Sequence, residues 1–192
     1  MLPKISEAVL KAVEGSPQGI ASLDVITSLG LSDADTVKTT LSRLNKSKRI
    51  IRLKRGVYSS NPLKDQFAAA QATFNGYVGF SSALYLHKLT SELPFRITIV
   101  TRDSSKTKQA GGFEFKAIAL KEKAVGFKTM GPYVVSTCPK TLFDCLYLPR
   151  YGIGSQKLLE AYSQGLSEVE WREFDYFCEK FANKGLMKKL KP

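Results

Sequence analysis

The chain has 192 residues, 43% hydrophobic and 24% charged, a composition that excludes a mainly disordered protein and suffices for one large core or two small ones. Its 29 lysines and arginines against 17 acids leave a formal net charge of +12, which favours phosphate-bearing or otherwise anionic partners. No apolar run approaches the roughly 20 residues needed to cross a bilayer, and the N-terminal residues contain no signal-peptide core, so a cytoplasmic protein is expected. One histidine and three cysteines with no C-x-x-C pair predict neither a structural metal nor a cofactor; Cys138, Cys145 and Cys178 read as core packing.

The spacing of Ile5, Val9, Ala12 and Val13 predicts a first helix over 3–14, ended by Gly15 and Ser16-Pro17. Ser22 is placed to cap a second helix carrying Leu23, Val25, Ile26 and Leu29, and Gly30 to stop it in the left-handed conformation. Beyond the turn at 31–33, Val37, Leu41 and Leu44 recur at i, i+4 and i+7. They give a third helix one apolar stripe, which must face the first two. Two β-prone runs, 50–53 and 57–59, flank Lys54-Arg55-Gly56 and predict a hairpin in which Gly56 takes a positive φ. Three helices and a hairpin in about 60 residues make a winged helix-turn-helix. Asn61-Pro62 marks its boundary, because proline drives the preceding residue out of helical conformation. The expected domains are therefore 1–62 and 63–192.

In the second domain an alanine-rich helix is expected over 65–74, closed by Asn75-Gly76, then another over 81–89 with Ser81 as its cap. Residues 95–101 alternate at period two and predict a strand; 102–112 read as a polar loop, and 113–119 as a partner strand. Further strands are expected at 125–129 and 133–136, around the turn Gly131-Pro132. Helices follow at 139–148, 156–164 and 168–183, the last opened by a capping box of Ser167 and Glu170. Val169, Trp171, Phe174, Phe177 and Phe181 should face a core, and Lys184, Lys188, Lys189 and Lys191 form a basic tail. The fold class is α+β: a winged helix followed by a mixed sheet-and-helix domain.

The strongest functional signal is the stretch from Thr36 to Lys64, which contains no acid but carries Lys38, Arg43, Lys46, Lys48, Arg49, Arg52, Lys54, Arg55 and Lys64. An ordinary solvated helix mixes Glu with Lys and gains i,i+4 support from doing so. A polyanion-binding face does without carboxylates. Opposite the apolar stripe lie Thr36, Lys38, Thr39, Ser42, Arg43 and Lys46, short hydroxyls and long cations able to reach base edges and phosphates from the major groove. Arg43 is the candidate for bidentate guanine readout, Thr39 and Ser42 are adaptable contacts, and Lys38 and Lys46 suit phosphates. Lys54 and Arg55 sit at the hairpin tip, flanked by Arg52 and Lys48. The expected partner is double-stranded DNA.

The chain resembles the AbiEi family of antitoxins and transcriptional regulators over nearly its whole length. The resemblance is carried by Ile51-Arg52-Leu53-Lys54-Arg55-Gly56-Val57-Tyr58 and by the run from Gly76-Tyr77-Val78-Gly79-Phe80 through Tyr85-Leu86-His87-Lys88-Leu89-Thr90. It continues in Ile97-Thr98-Ile99-Val100-Thr101, Phe113-Glu114-Phe115, Lys140-Thr141-Leu142-Phe143-Asp144-Cys145-Leu146 and Pro149-Arg150-Tyr151-Gly152. It implies an N-terminal winged helix that binds operator repeats and represses its own operon. It also implies a C-terminal domain that counteracts a nucleotidyltransferase-type toxin, with no stable complex required. Two copies per operator are expected, as a homodimer or by cooperative assembly on DNA. A stand-alone regulator of the same architecture is the alternative without a toxin.

A competing enzyme reading uses Asp103 with Glu114 and Lys116, since metal-dependent nucleases hold Mg²⁺ between two acids with a lysine near the attacking water. Glu114 and Lys116 share one face of a strand, an arrangement that equally suits a cross-strand contact. His87 reads as a helix hydrogen-bonding residue. Gly152-Ile153-Gly154-Ser155 reads as a connection with Ser155 as cap, because no Walker lysine follows it.

Overall fold

In the computed structural model, which describes residues 4–165 and 170–190, the chain opens with α1 (Lys4–Gly15), whose Val9, Leu10 and Val13 are buried. Ser22 then caps α2 (Leu23–Ser28), accepting a bond from Val25 N at 3.2 Å, and Gly30 follows with φ +65°. Asp33 caps α3 (Ala34–Lys46) by accepting from Thr36 N at 2.9 Å, and the Thr36 side chain together with this backbone bond lowers the Asp33 carboxyl from its ordinary value. Val37, Leu41 and Leu44 are buried with Ile26, Ala21, Ile50 and Tyr58 in the core of this first unit. Helix α3 ends with Lys48 at φ +57°, while the Arg49 N–H reaches back to Leu44 O at 2.9 Å.

The hairpin is β2 (Ile50–Lys54) and β3 (Val57–Ser60), with Gly56 at φ +73° in its turn. A third strand, β1 (Ile20–Ser22), pairs antiparallel with β3, so the sheet order is β1-β3-β2. Sequence periodicity could not mark β1, a strand of three residues with no alternation to read. The second helix also differs from expectation: only its Ile26 is buried, while Val25 is 52% and Leu29 55% exposed.

The first unit runs past the boundary expected at Asn61-Pro62. It comprises residues 1–75 and, discontinuously, 108–114. The reason is α4 (Gln66–Thr73), capped by Asp65 through Ala68 N at 2.9 Å, which packs Phe67, Ala69 and Ala70 toward the hairpin strands. A proline dipeptide marks a change of backbone direction, whereas a unit ends where packing ends.

The second unit comprises 76–107 and 115–192. Strands β4 (Tyr77–Val78), β5 (Arg96–Thr101), β6 (Lys106–Ala110), β7 (Phe113–Ala119), β8 (Phe127–Met130) and β9 (Tyr133–Ser136) form a sheet of order β6-β7-β5-β4-β9-β8. β4 runs antiparallel to β5 but parallel to β9, with Val78 opposite Val135. Central β5 is buried from Ile97 to Thr101 on both faces, so its period-two pattern comes from threonines that are inside, not out. Thr101 Oγ1 donates to Ser104 O at 2.7 Å, so the hydroxyl of that threonine is satisfied where it is buried. Gly76 fits closely beside β5: a Cβ there would lie 2.0 Å from Val100 O. Gly76→Ala is expected to lower stability by about 3 kcal/mol, because a backbone carbonyl must move. Urea unfolding within about 0.5 kcal/mol of wild type would contradict that packing.

Three further expectations are corrected. The polar loop at 102–112 contains β6, an edge strand of Lys, Thr and Gln with little burial and hence no hydrophobic alternation. Helix α5 (Phe80–Leu86) has Gly79 as its cap residue, not Ser81. The C-terminal helices are α6 (Cys138–Tyr147), α7 (Ser155–Gly165), α8 (Trp171–Phe181) and α9 (Lys184–Leu190), so the basic tail begins as a helix of its own. Phe174 and Phe177 are buried as expected, but Trp171 is 40% exposed. Ser167, Val169 and Lys191 lie outside the described residues, as do the side chains of Lys188 and Lys189.

Candidate nucleic-acid interface

The periodicity of α3 turns Val37, Leu41 and Leu44 inward and divides its remaining positions into three rows. Thr39, Ser42 and Lys46 lie outermost, all exposed. Arg43 and the half-buried Thr36 stand on the flank toward α1, where with Thr39, Ile5 and Ser6 they line a shallow groove of about 320 Å³. Lys38 and Asn45 stand on the opposite flank, and Asn45 Oδ1 accepts the Arg52 N–H of β2 at 2.8 Å. That bond joins the helix directly to the hairpin.

At the hairpin, Arg52, Lys54 and Arg55 are exposed. The tip is not free-standing, because Gly56 O accepts the first N–H of α2, from Leu23, at 2.7 Å. Among the described residues, none of Lys38, Arg43, Lys46, Arg52, Lys54 and Arg55 is in an ion pair. Lys64, part of the same acid-free stretch, is used otherwise: its Nζ donates to Glu14 O near the end of α1, at 2.5 Å. Lys48 is exposed, and its carbonyl accepts from Asn61 Nδ2 at 2.6 Å.

Two residues of this surface escape a reading by charge and pattern alone. Asn45 and Lys108 bond to the edge of β2, which only the tertiary arrangement brings beside them. Asp35 could have been read from helical spacing, since it is exposed and lies one turn before Thr39 on the outer row. A carboxylate there opposes phosphate and can accept only from a base such as cytosine, through its N4 amine. If this surface takes a duplex, Asp35→Asn is therefore expected to tighten binding to arbitrary duplexes by roughly threefold at low salt. Unchanged or weaker affinity in a fluorescence-anisotropy titration would place Asp35 outside the contact surface.

The residues of the nuclease pattern are occupied by local contacts. Asp103 is exposed with Arg102 Nε 4.0 Å away; Glu114 Oε2 accepts from Gln109 Nε2 at 3.2 Å, and Lys116 Nζ donates to Thr107 Oγ1 at 2.9 Å. No group of three or more His, Cys, Asp or Glu able to hold a metal ion occurs among the described residues. His87 Nε2 lies 2.7 Å from Ser136 O, so that nitrogen carries the proton and donates. The Gly152–Ser155 connection leads into α7, which starts at Ser155 itself.

Buried in the second unit is a pair that sequence reasoning missed. Lys140 and Asp144, both on α6 and both fully buried, meet at 2.5 Å, with the ammonium 5.7 Å from the Phe143 and Phe177 ring centres. Burial pushes the Asp144 carboxyl up to about 6 and lowers the Lys140 ammonium, outweighing their mutual attraction in both cases. Burial likewise raises the neighbouring Cys145 thiol and the Tyr77 phenol. The only hint in the sequence is an i,i+4 Lys/Asp spacing within an otherwise apolar segment.

No protein-family model matches the chain, and no curated protein matches it. Among the described residues, no helix is long and apolar enough to cross a membrane.

Proposed function

We propose that the first unit is a winged-helix module binding double-stranded DNA, with α3 in the major groove and the β2–β3 hairpin as the wing. The observation that carries this is the set of exposed cations on α3 and the hairpin, in no ion pair among the described residues and set in a stretch free of acids from Thr36 to Lys64. The order of α1, α2, α3 and hairpin supports the same reading. Thr39, Ser42 and Arg43 contact bases, with Arg43 reaching guanine from the α1 flank. Lys38, Lys46, Arg52, Lys54 and Arg55 contact phosphates.

The resemblance to AbiEi regulators extends this to an antitoxin that represses its own operon and counteracts a nucleotidyltransferase-type toxin, acting in the cytoplasm. Two arms test the proposal. Duplex affinity measured across a salt series should fall steeply with salt, and a flat dependence would remove the phosphate contacts. Expressing the adjacent reading frame with and without this protein tests the antitoxin role, which absence of toxicity or of rescue would end.

A further inference from the structure

The proposed wing contains an irregularity that needs a partner. Arg52 pairs with Tyr58 but Lys54 with Val57, so the register slips by one and leaves a β-bulge at Leu53, whose side chain is buried. β2 is also an outer strand of its sheet, and backbone groups turned away from β3 have no ladder partner there. The Arg52 N–H on that edge is met by Asn45. The carbonyls of Arg52 and Leu53 are met by one group, the ammonium of Lys108, at 2.8 and 2.5 Å.

Lys108 comes from β6. Residues 108–114, the tip of the β6–β7 hairpin, are part of the first unit, although Thr107 and Phe115 on either side belong to the second. The turn of this tip rests on the same sheet edge: a Cβ on Gly111 would meet Leu63 Cγ at 2.4 Å and Ile51 Cδ1 at 3.4 Å. We propose that Lys108 is a positioning residue for the wing, clamping the bulged edge of β2 so that Lys54 and Arg55 are presented at a fixed angle to α3. Burial and the nearby Arg52 charge lower the Lys108 ammonium, as expected of a cation drawn out of water to serve carbonyls. The clamp is delivered by a segment with second-unit chain at both ends, so the geometry of the wing depends on a part of the sequence far from it.

The inference rests on the duplex-binding reading, and its test separates the two. Full-length Lys108→Met removes the donor and keeps the side-chain length, Lys108→Arg keeps a donor, and Lys106→Met removes one exposed charge from the same strand. Lys108→Met should weaken duplex binding about tenfold in wild type and less than about twofold in a Lys54→Ala/Arg55→Ala background, as two groups acting through one another do. Lys106→Met should cost less than about twofold, and Lys108→Arg should restore most of the loss. Equal losses in both backgrounds, or equal losses for Lys108→Met and Lys106→Met, would overturn the clamp. Amide hydrogen exchange without DNA provides the second readout: the β2–β3 amides should exchange at least about tenfold faster in Lys108→Met than in Lys106→Met. Unchanged exchange overturns the clamp even if duplex binding itself fails. Faster exchange with no duplex binding by wild type would instead retain the clamp and remove the DNA reading.

Discussion

Replacing Lys38, Arg43 and Lys46 together by alanine is expected to weaken duplex binding roughly hundredfold near physiological salt and to flatten the salt dependence by about two in log–log slope, the share of the two phosphate-contacting lysines. The three side chains are exposed on α3, away from its buried stripe, so their loss should leave folding intact. None of the three is in an ion pair among the described residues, and each phosphate that Lys38 or Lys46 neutralises releases counterions, which is why the effect appears in slope as well as affinity. The single change Arg43→Ala should behave differently, relaxing base preference with a smaller change of slope, because a bidentate guanine contact carries sequence information. A triple variant that retains the wild-type slope would place the polyanion surface elsewhere. Far-ultraviolet circular dichroism on the same samples guards against trivial unfolding.

Lys140→Met alone is expected to destabilise the protein by about 3–5 kcal/mol, because it leaves the Asp144 carboxylate buried without its counter-charge. One oxygen of that carboxylate, Oδ2, already has no hydrogen-bond partner among the described residues. The double variant Lys140→Met/Asp144→Leu should be near wild type or more stable, since apolar side chains then fill a site walled by Phe143 and Phe177. Urea unfolding of the three proteins measures both effects, and a double variant as weak as the single one would contradict the argument.

The pair also sets a pH dependence. A carboxyl raised to about 6 in the folded state, against 3.8 as its ordinary value, takes up its proton first when folded, so its contribution to stability grows as pH falls from above 6 toward 4. A lysine lowered from 10.5 releases its proton first when folded, so its contribution grows as pH rises toward 10.5. The pair thus contributes least near neutrality. The stability advantage of the double variant over wild type should accordingly shrink between pH 7 and pH 5; an advantage that widens would show the opposite shift for Asp144.

Much of the first unit was legible because its signals are local. Ser22 caps a helix, Gly30 and Gly56 take positive φ, and Val37, Leu41 and Leu44 are buried, as the spacing of each anticipates. The outward cations follow from that stripe, since a helix with one buried side has no choice about the other. Pattern failed where burial did not follow polarity. Val25 and Leu29 are apolar yet exposed, Lys140 and Asp144 charged yet buried, and β6 is a strand without an alternating face. Local chemistry does not encode which neighbour covers a residue.

The chain's own sequence determined the α+β class, the Ser22 cap and the acid-free stretch from Thr36 to Lys64, all of them set by local sequence. Only the tertiary structure decided that the first unit extends through α4, that it borrows residues 108–114, and that the bulged edge of β2 is completed by Lys108 and Asn45. Backbone groups left over at a sheet edge must find donors and acceptors, and which side chains supply them depends on what folding brings alongside. For this protein, one of those side chains lies more than fifty positions further along the chain.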